Sequence, residues 1–265
     1  MKNRTEHRTL NTEHRNGGFS IIELSIVLTI IAMIVATSLS VGASRIEAAR
    51  AQSTQERMDF IMKAIQLYVN RFGYVPCPAD NSLPVTDGNF GRGGGSGNSA
   101  TGCTDSNSSF TNTSVPTHEI HTGGVPWMHL NISPAITIDG WNRRFTYAVD
   151  EQLTWADGDP TNGGWDDPAT TTDGEIRITR SSGGTNITAN AAVVLISHGT
   201  NGHGAFPGKG GTRLDKGCTT DVDEDENTDL GVGVGCPAVN DEFVQKFRTS
   251  TYDDMVEYRT KWQLD

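Results

Sequence analysis

The chain has 265 residues, a formal net charge of -11 and 30 glycines. Its length accommodates one large domain or two small ones, and its acidic balance argues against a nucleic-acid partner, whose phosphates require a basic surface. Outside one N-terminal apolar block the residues are rich in Gly, Asn, Thr, Ser and Asp, a composition that predicts a β-rich domain with long loops and a modest core.

Residues 1–18 carry Lys2, Arg4, Arg8 and Arg15 against Glu6 and Glu13. From Phe19 to Val41 the sequence is apolar, with Glu23 as its one charge. As a helix this segment is about 35 Å long, enough for a hydrocarbon core of about 30 Å. The basic leader would keep its own end in the cytoplasm. A carboxylate inside such a segment costs several kcal/mol unless it finds a partner, so Glu23 is a candidate functional residue. Between Ser44 and Phe72, Ile46, Ala49, Met58, Ile61, Ile65, Tyr68 and Phe72 recur at steps near three and four, one apolar stripe on a helix. Gly73, Pro76 and Pro78 end it. The two stretches read as one helix of about 50 residues, apolar all round and then amphipathic. Two helices broken near Gly42 is the alternative.

Residues 79–124 show no strong helix or strand pattern and read as a long surface loop. Arg143–Val149, Glu175–Arg180 and Ala191–Ser197 are short β-type runs bounded by Gly and Asp. No helix alternates with them, so an antiparallel sheet is expected. Residues 199–239 read as an acidic loop, and the segment Asp241–Asp265 as pairing with the sheet or lying across it. Cys77, Cys103, Cys218 and Cys236 all follow the apolar run; if it is an anchor oriented by its leader, they face an oxidising compartment and favour two disulfides. Three pairings are open, and the nearest-neighbour one closes two loop-rich segments. No C-x-x-C spacing supports zinc on these cysteines.

At residues 17–24 the sequence reads Gly-Gly-Phe-Ser-Ile-Ile-Glu-Leu. The stretch from Gly18 to Leu24 resembles the processing and methylation motif of type IV pilins and type II secretion pseudopilins. The resemblance implies a prepilin leader at 1–18, cleavage between Gly18 and Phe19 by prepilin peptidase, and methylation of Phe19 as the new terminus. Glu23 would then be the fifth mature residue, about one helical turn from the new ammonium. In a staggered stack of helices, that carboxylate can meet the ammonium of another copy, relieving both buried charges and fixing axial register. The run Asp139-Gly140-Trp141-Asn142-Arg143-Arg144-Phe145-Thr146-Tyr147 is similar to the D-x-W-G-x-x-Y-x-Y segment of pseudopilins, with Asn142 where Gly is usual and Phe145 replacing a Tyr.

The expected fold class is therefore α+β: a long N-terminal helix, half transmembrane (19–42) and half amphipathic (43–73), packed on a small antiparallel sheet with long loops, as in pilins. Residues 74–138 form a loop-rich region and 139–265 the sheet domain with its acidic loops. The expected place is the bacterial inner membrane, single-pass, with the C-terminal domain in the periplasm and, after assembly, in a filament. The implied function is a structural subunit of a type II secretion pseudopilus; a type IV pilus subunit, or a membrane-anchored or secreted binding domain or enzyme, are the alternatives. Implied partners are prepilin peptidase, copies of itself or other pilin-like subunits, and an inner-membrane assembly platform.

Asp221, Asp223, Asp225, Asn227 and Asp229 alternate along the most acidic run, and their oxygens suit a hard cation such as calcium. Glu226 and Val232 stand where an EF-hand needs Gly and Glu, which excludes that loop. The resemblance points the same way, since major pseudopilins carry calcium late in the sheet domain. Asp157, Asp159, Asp166 and Asp167 form a second acidic loop. His118, His121 and His129 lack the H-E-x-x-H arrangement, and His198 and His203 flank a Gly-rich turn, so no zinc or catalytic role is expected of them. No phosphate loop and no G-x-S-x-G elbow occurs. No enzyme is expected.

Overall fold

The computed structural model describes residues 18, 20–94, 103, 108–111, 119–155, 165, 173–214, 218, 221–228 and 240–265. The backbone of helix α1 runs from Ile21 to Phe72, and the chain divides into two compact units between Glu47 and Ala48.

In the first unit, Ile22, Leu24, Ile26, Leu28, Ile30 and Met33 are all more than half exposed. The hydroxyls of Ser25 and Thr29 donate to the carbonyls of Ile22 and Ser25, each at 2.8 Å. These bonds satisfy the hydroxyls within the helix.

The second unit is built around a mixed half-barrel sheet. Its elements in chain order are the remainder of α1, β1 (Ser108–Thr111), β2 (Glu119–Gly123), α2 (Trp127–Leu130), β3 (Arg143–Arg144), β4 (Thr146–Asp150), β5 (Ile176–Thr179), β6 (Asn186–Ser197), β7 (Phe206–Pro207), α3 (Val222–Glu226), β8 (Glu242–Val244), β9 (Met255–Thr260) and α4 (Lys261–Leu264). Short 3-10 turns lie at Pro134–Thr137 and Glu151–Thr154. The sheet has seven strands in the order β1-β2-β4-β6-β5-β8, with β9 also paired to β6; β3 and β7 form a separate two-stranded ribbon.

β6 is the spine, because both faces of its second half, from Ala191 to Ser197, are buried. Val193 and Leu195 point into one core with Phe145, Tyr147, Val149 and the α1 residues Met58, Ile61, Ile65 and Val69. Val194 and Ile196 point into a second core with Ile120, Ala148, Ile176, Ile178 and Phe243. This period-two division explains why the run Ala191–Ser197 is continuously apolar rather than alternating. Phe145 is fully buried, and Phe145→Ala is expected to destabilise the fold by about 3–5 kcal/mol, read as a lower urea midpoint at unchanged slope.

The segment from Asp139 to Tyr147 locks the amphipathic helix to this core. Gly140 approaches the α1 backbone so closely that a Cβ there would sit 2.5 Å from the Arg50 carbonyl oxygen. Its amide donates to the Thr54 hydroxyl at 2.9 Å. Asp139, buried, accepts from the amides of Trp141 and Arg143 and from the Ser197 hydroxyl. Asn142 has φ 65, the left-handed conformation that Gly favours and Asn tolerates, which gives the departure from Gly a backbone reason. Phe145 and Tyr147 are core residues, and the Tyr147 hydroxyl donates to the Pro76 carbonyl at 2.9 Å.

The expected fold class is corrected on two counts. Among the described residues no helix is long and apolar enough to cross a membrane. The single-pass inner-membrane placement falls with that finding. Secondly, the sheet is neither small nor purely antiparallel: β8 runs parallel to β5, pairing Arg177 with Glu242, Ile178 with Phe243 and Thr179 with Val244. The Arg177 guanidinium binds the fully buried Asp241 carboxylate at 2.9 Å and holds that parallel edge. β1 and β2 arise within residues 79–124, and α3 within residues 199–239, both expected to be loops. The predicted helix stripe is buried from Met58 to Tyr68, whereas Ile46 and Phe72 are exposed.

Candidate metal centre

The acidic run does not fold as an open loop. Asp221 caps α3, accepting from the Asp223 amide, and the following residues Val222–Glu226 are helical. On a helix, side chains two apart point in nearly opposite directions, so Asp223 and Asp225 turn to different partners. Asp221 accepts from the Lys246 ammonium at 3.3 Å and the Thr251 hydroxyl at 2.7 Å. Asp223 pairs with Lys246 and accepts from the Ser182 amide. Asp225 lies 2.9 Å from His203 Nε2. The expected ligand set Asp221, Asp223, Asp225 and Asp229 is therefore not brought together: Asp221 and Asp223 share the Lys246 ammonium, Asp225 faces His203, and Asp229 lies outside the described residues.

The helix instead turns Glu224 inward. Glu224 meets Asp253 and Asp254, which precede β9, and one carboxylate oxygen from each lies within 4.8 Å of the others. Glu224 and Asp254 are almost completely buried. Asn201 supports two members, donating from its side-chain amide to Glu224 at 2.6 Å and from its backbone to Asp253 at 2.9 Å. Asn227 donates to the second oxygen of Asp254 at 3.0 Å. Among the described residues, Asp253 Oδ1 and Asp254 Oδ1 are buried with no hydrogen-bond partner. His198 Nδ1 is 4.0 Å from Asp254 Oδ1. Burial, with smaller contributions from Arg213, His203 and Arg143, pushes the His198 pKa down to about 3, so the ring is neutral. Its Nε2 lies 2.9 Å from the Thr146 hydroxyl.

Burial and the neighbouring carboxylates raise the proton affinity of Glu224 and Asp254. Burial, reinforced by Asp253 and opposed by Asn201, pushes Glu224 up to about 7. Burial likewise carries Asp254 well above the usual range, with the Asn227 bond opposing and Glu224, Asp253 and Asp221 adding to it. Two orphaned buried oxygens and an all-oxygen donor set fit a hard divalent cation. Sequence reading missed Asp253 and Asp254; their only signal was an acidic pair immediately before a strand.

The remaining expected site residues are distributed as follows. Gly18 and Glu23 are exposed, whereas Phe19 lies outside the described residues. Cys77 and Cys103 form a disulfide, joining two buried positions. Cys218 is also disulfide-bonded, and Cys236 lies outside the described residues. So do His118, Asp157, Asp159, Asp166 and Asp167.

Comparison with family models, with curated proteins and with solved structures finds no match for the chain.

Proposed function

We propose that the chain is a structural filament subunit of the pseudopilin kind, cut after Gly18 by prepilin peptidase and assembled with other copies through the N-terminal part of α1. The observation that carries this reading is the set of exposed apolar side chains from Ile21 to Val35, with Glu23 among them. A contiguous apolar surface of this kind marks an interaction site, and equivalent helices from neighbouring copies would bury it. Glu23 selects the register of that packing by meeting the terminal ammonium of a neighbour.

Within the same reading, the Glu224–Asp253–Asp254 cluster binds calcium as a structural strut. It ties α3 to the segment before β9 and so holds the end of the chain against the sheet.

The test of the filament reading is the mature N-terminus. Sequencing the processed chain should give methylated Phe19. A mature chain starting at Ser44, after the small residues Val41-Gly42-Ala43, would mean removal of the whole apolar segment as a signal peptide and would end the filament reading.

A further inference from the structure

A second group of ligating side chains lies on another edge of the sheet. Glu119 and His121 are two apart on β2, so they share one face. β2 pairs antiparallel with β4, Ile120 opposite Asp150 and His121 opposite Val149. Continued by one residue, that register sets Glu151, the first residue of the following 3-10 turn, across from Glu119. Two like charges at directly opposed positions are destabilising unless something between them compensates.

The imidazole reaches that point. His121 Nε2 is 3.4 Å from a Glu151 oxygen and 3.6 Å from a Glu119 oxygen. All three ligand atoms lie within 4.8 Å of one another. Both nitrogen–oxygen separations exceed an ordinary N–H···O bond of about 2.9–3.0 Å. They match the spacing of about 3.3 Å between neighbouring tetrahedral ligands that each stand about 2.0 Å from one ion. The site is also placed for access: the His121 side chain is only 5% exposed and held in the sheet, while that of Glu119 is 47% exposed. A fixed imidazole with an open side is the arrangement in which a water can complete the coordination.

We propose that Glu119, His121 and Glu151 bind a divalent transition ion, zinc by the chemistry of the set. One imidazole and two carboxylates suit zinc, whereas calcium prefers the all-oxygen cluster around Glu224. The ion neutralises the opposed carboxylates and cross-links β2 to the turn after β4. The role is structural.

The test is zinc titration of the full chain by calorimetry, with cobalt(II) as a spectroscopic substitute. One zinc per chain is expected at this site, and four-coordinate cobalt bands in the visible. Glu119→Gln changes an exposed side chain, keeps its size and should weaken zinc binding more than about tenfold. Glu151→Gln should do the same, while Asp254→Asn should leave zinc affinity unchanged. Failure to bind zinc, or undiminished affinity and cobalt spectrum in both Gln variants, overturns the proposal.

Discussion

Replacing Glu23 with alanine is expected to abolish filament assembly while cleavage after Gly18 proceeds. Glu23 lies in the first turn of α1, exposed and surrounded by Ile21, Ile22 and Leu24. When such helices pack together, water leaves that surface and any charge on it must be paired. In the proposed filament, cleavage after Gly18 would supply the partner, since it would create an ammonium at Phe19 that the precursor lacks. Without Glu23 the ammonium stays unpaired in an apolar bundle, at a cost of about 3–5 kcal/mol per subunit. Each 1.4 kcal/mol is a factor of ten in an equilibrium constant, so the subunit–filament equilibrium should fall by roughly 100- to 4000-fold. Glu23→Gln separates charge from shape and should fail almost as completely. The measurement is the fraction of processed subunit recovered in sedimenting filaments. Assembly of the alanine variant at the wild-type level would remove this account of the charge.

Calcium is expected to raise the melting temperature strongly at pH 8 and weakly at pH 5. Glu224 and Asp254 hold their protons more tightly in the folded chain than in the unfolded one. The metal-free fold therefore binds more protons than the unfolded chain, and its stability falls as pH rises. The fall begins near the ordinary glutamate value of 4.5 and, for Glu224, is complete above about 7. Its size is on the order of 2–3 kcal/mol. Calcium replaces the protons, so the gain it gives grows over the same pH interval. In a chain of this length that corresponds to roughly 5–10 °C.

Asp254→Asn sharpens the test. Asparagine removes one buried charge while leaving an oxygen for Asn227 to donate to. The variant should be more stable than wild type at pH 8 without metal, and should lose the calcium response. A chelator that leaves the wild-type midpoint unchanged at pH 8 excludes a structural calcium site.

Helix α1 and the strands around Arg143–Val149 and Ala191–Ser197 were legible because local pattern and tertiary role agree there. Met58, Ile61, Ile65 and Tyr68 repeat with the helical period because one face meets the sheet. Ala191–Ser197 is apolar throughout because both faces are covered. β2 was hidden for the opposite reason. Glu119, His121 and Thr122 carry polar groups, yet all but Glu119 are buried once β1 and β4 close on either side. The acidic run misled in a different way. Its alternation suited a loop, but Asp221 caps a helical turn, and the turn sends the odd-numbered aspartates to Lys246 and His203.

The sequence by itself determined the leader-like basic segment, the Gly18–Phe19 junction, Glu23 within an apolar run, and the helix stripe. All of these are properties of neighbours along the chain, where spacing alone sets which groups meet. Only the tertiary structure decided the parallel pairing of β8 with β5, the convergence of Glu224 with Asp253 and Asp254, and the opposition of Glu119 and Glu151 beside His121. Those arrangements join residues far apart in sequence, and they depend on strand register and helix phase. A shift of one residue in either would turn the same side chains away from one another.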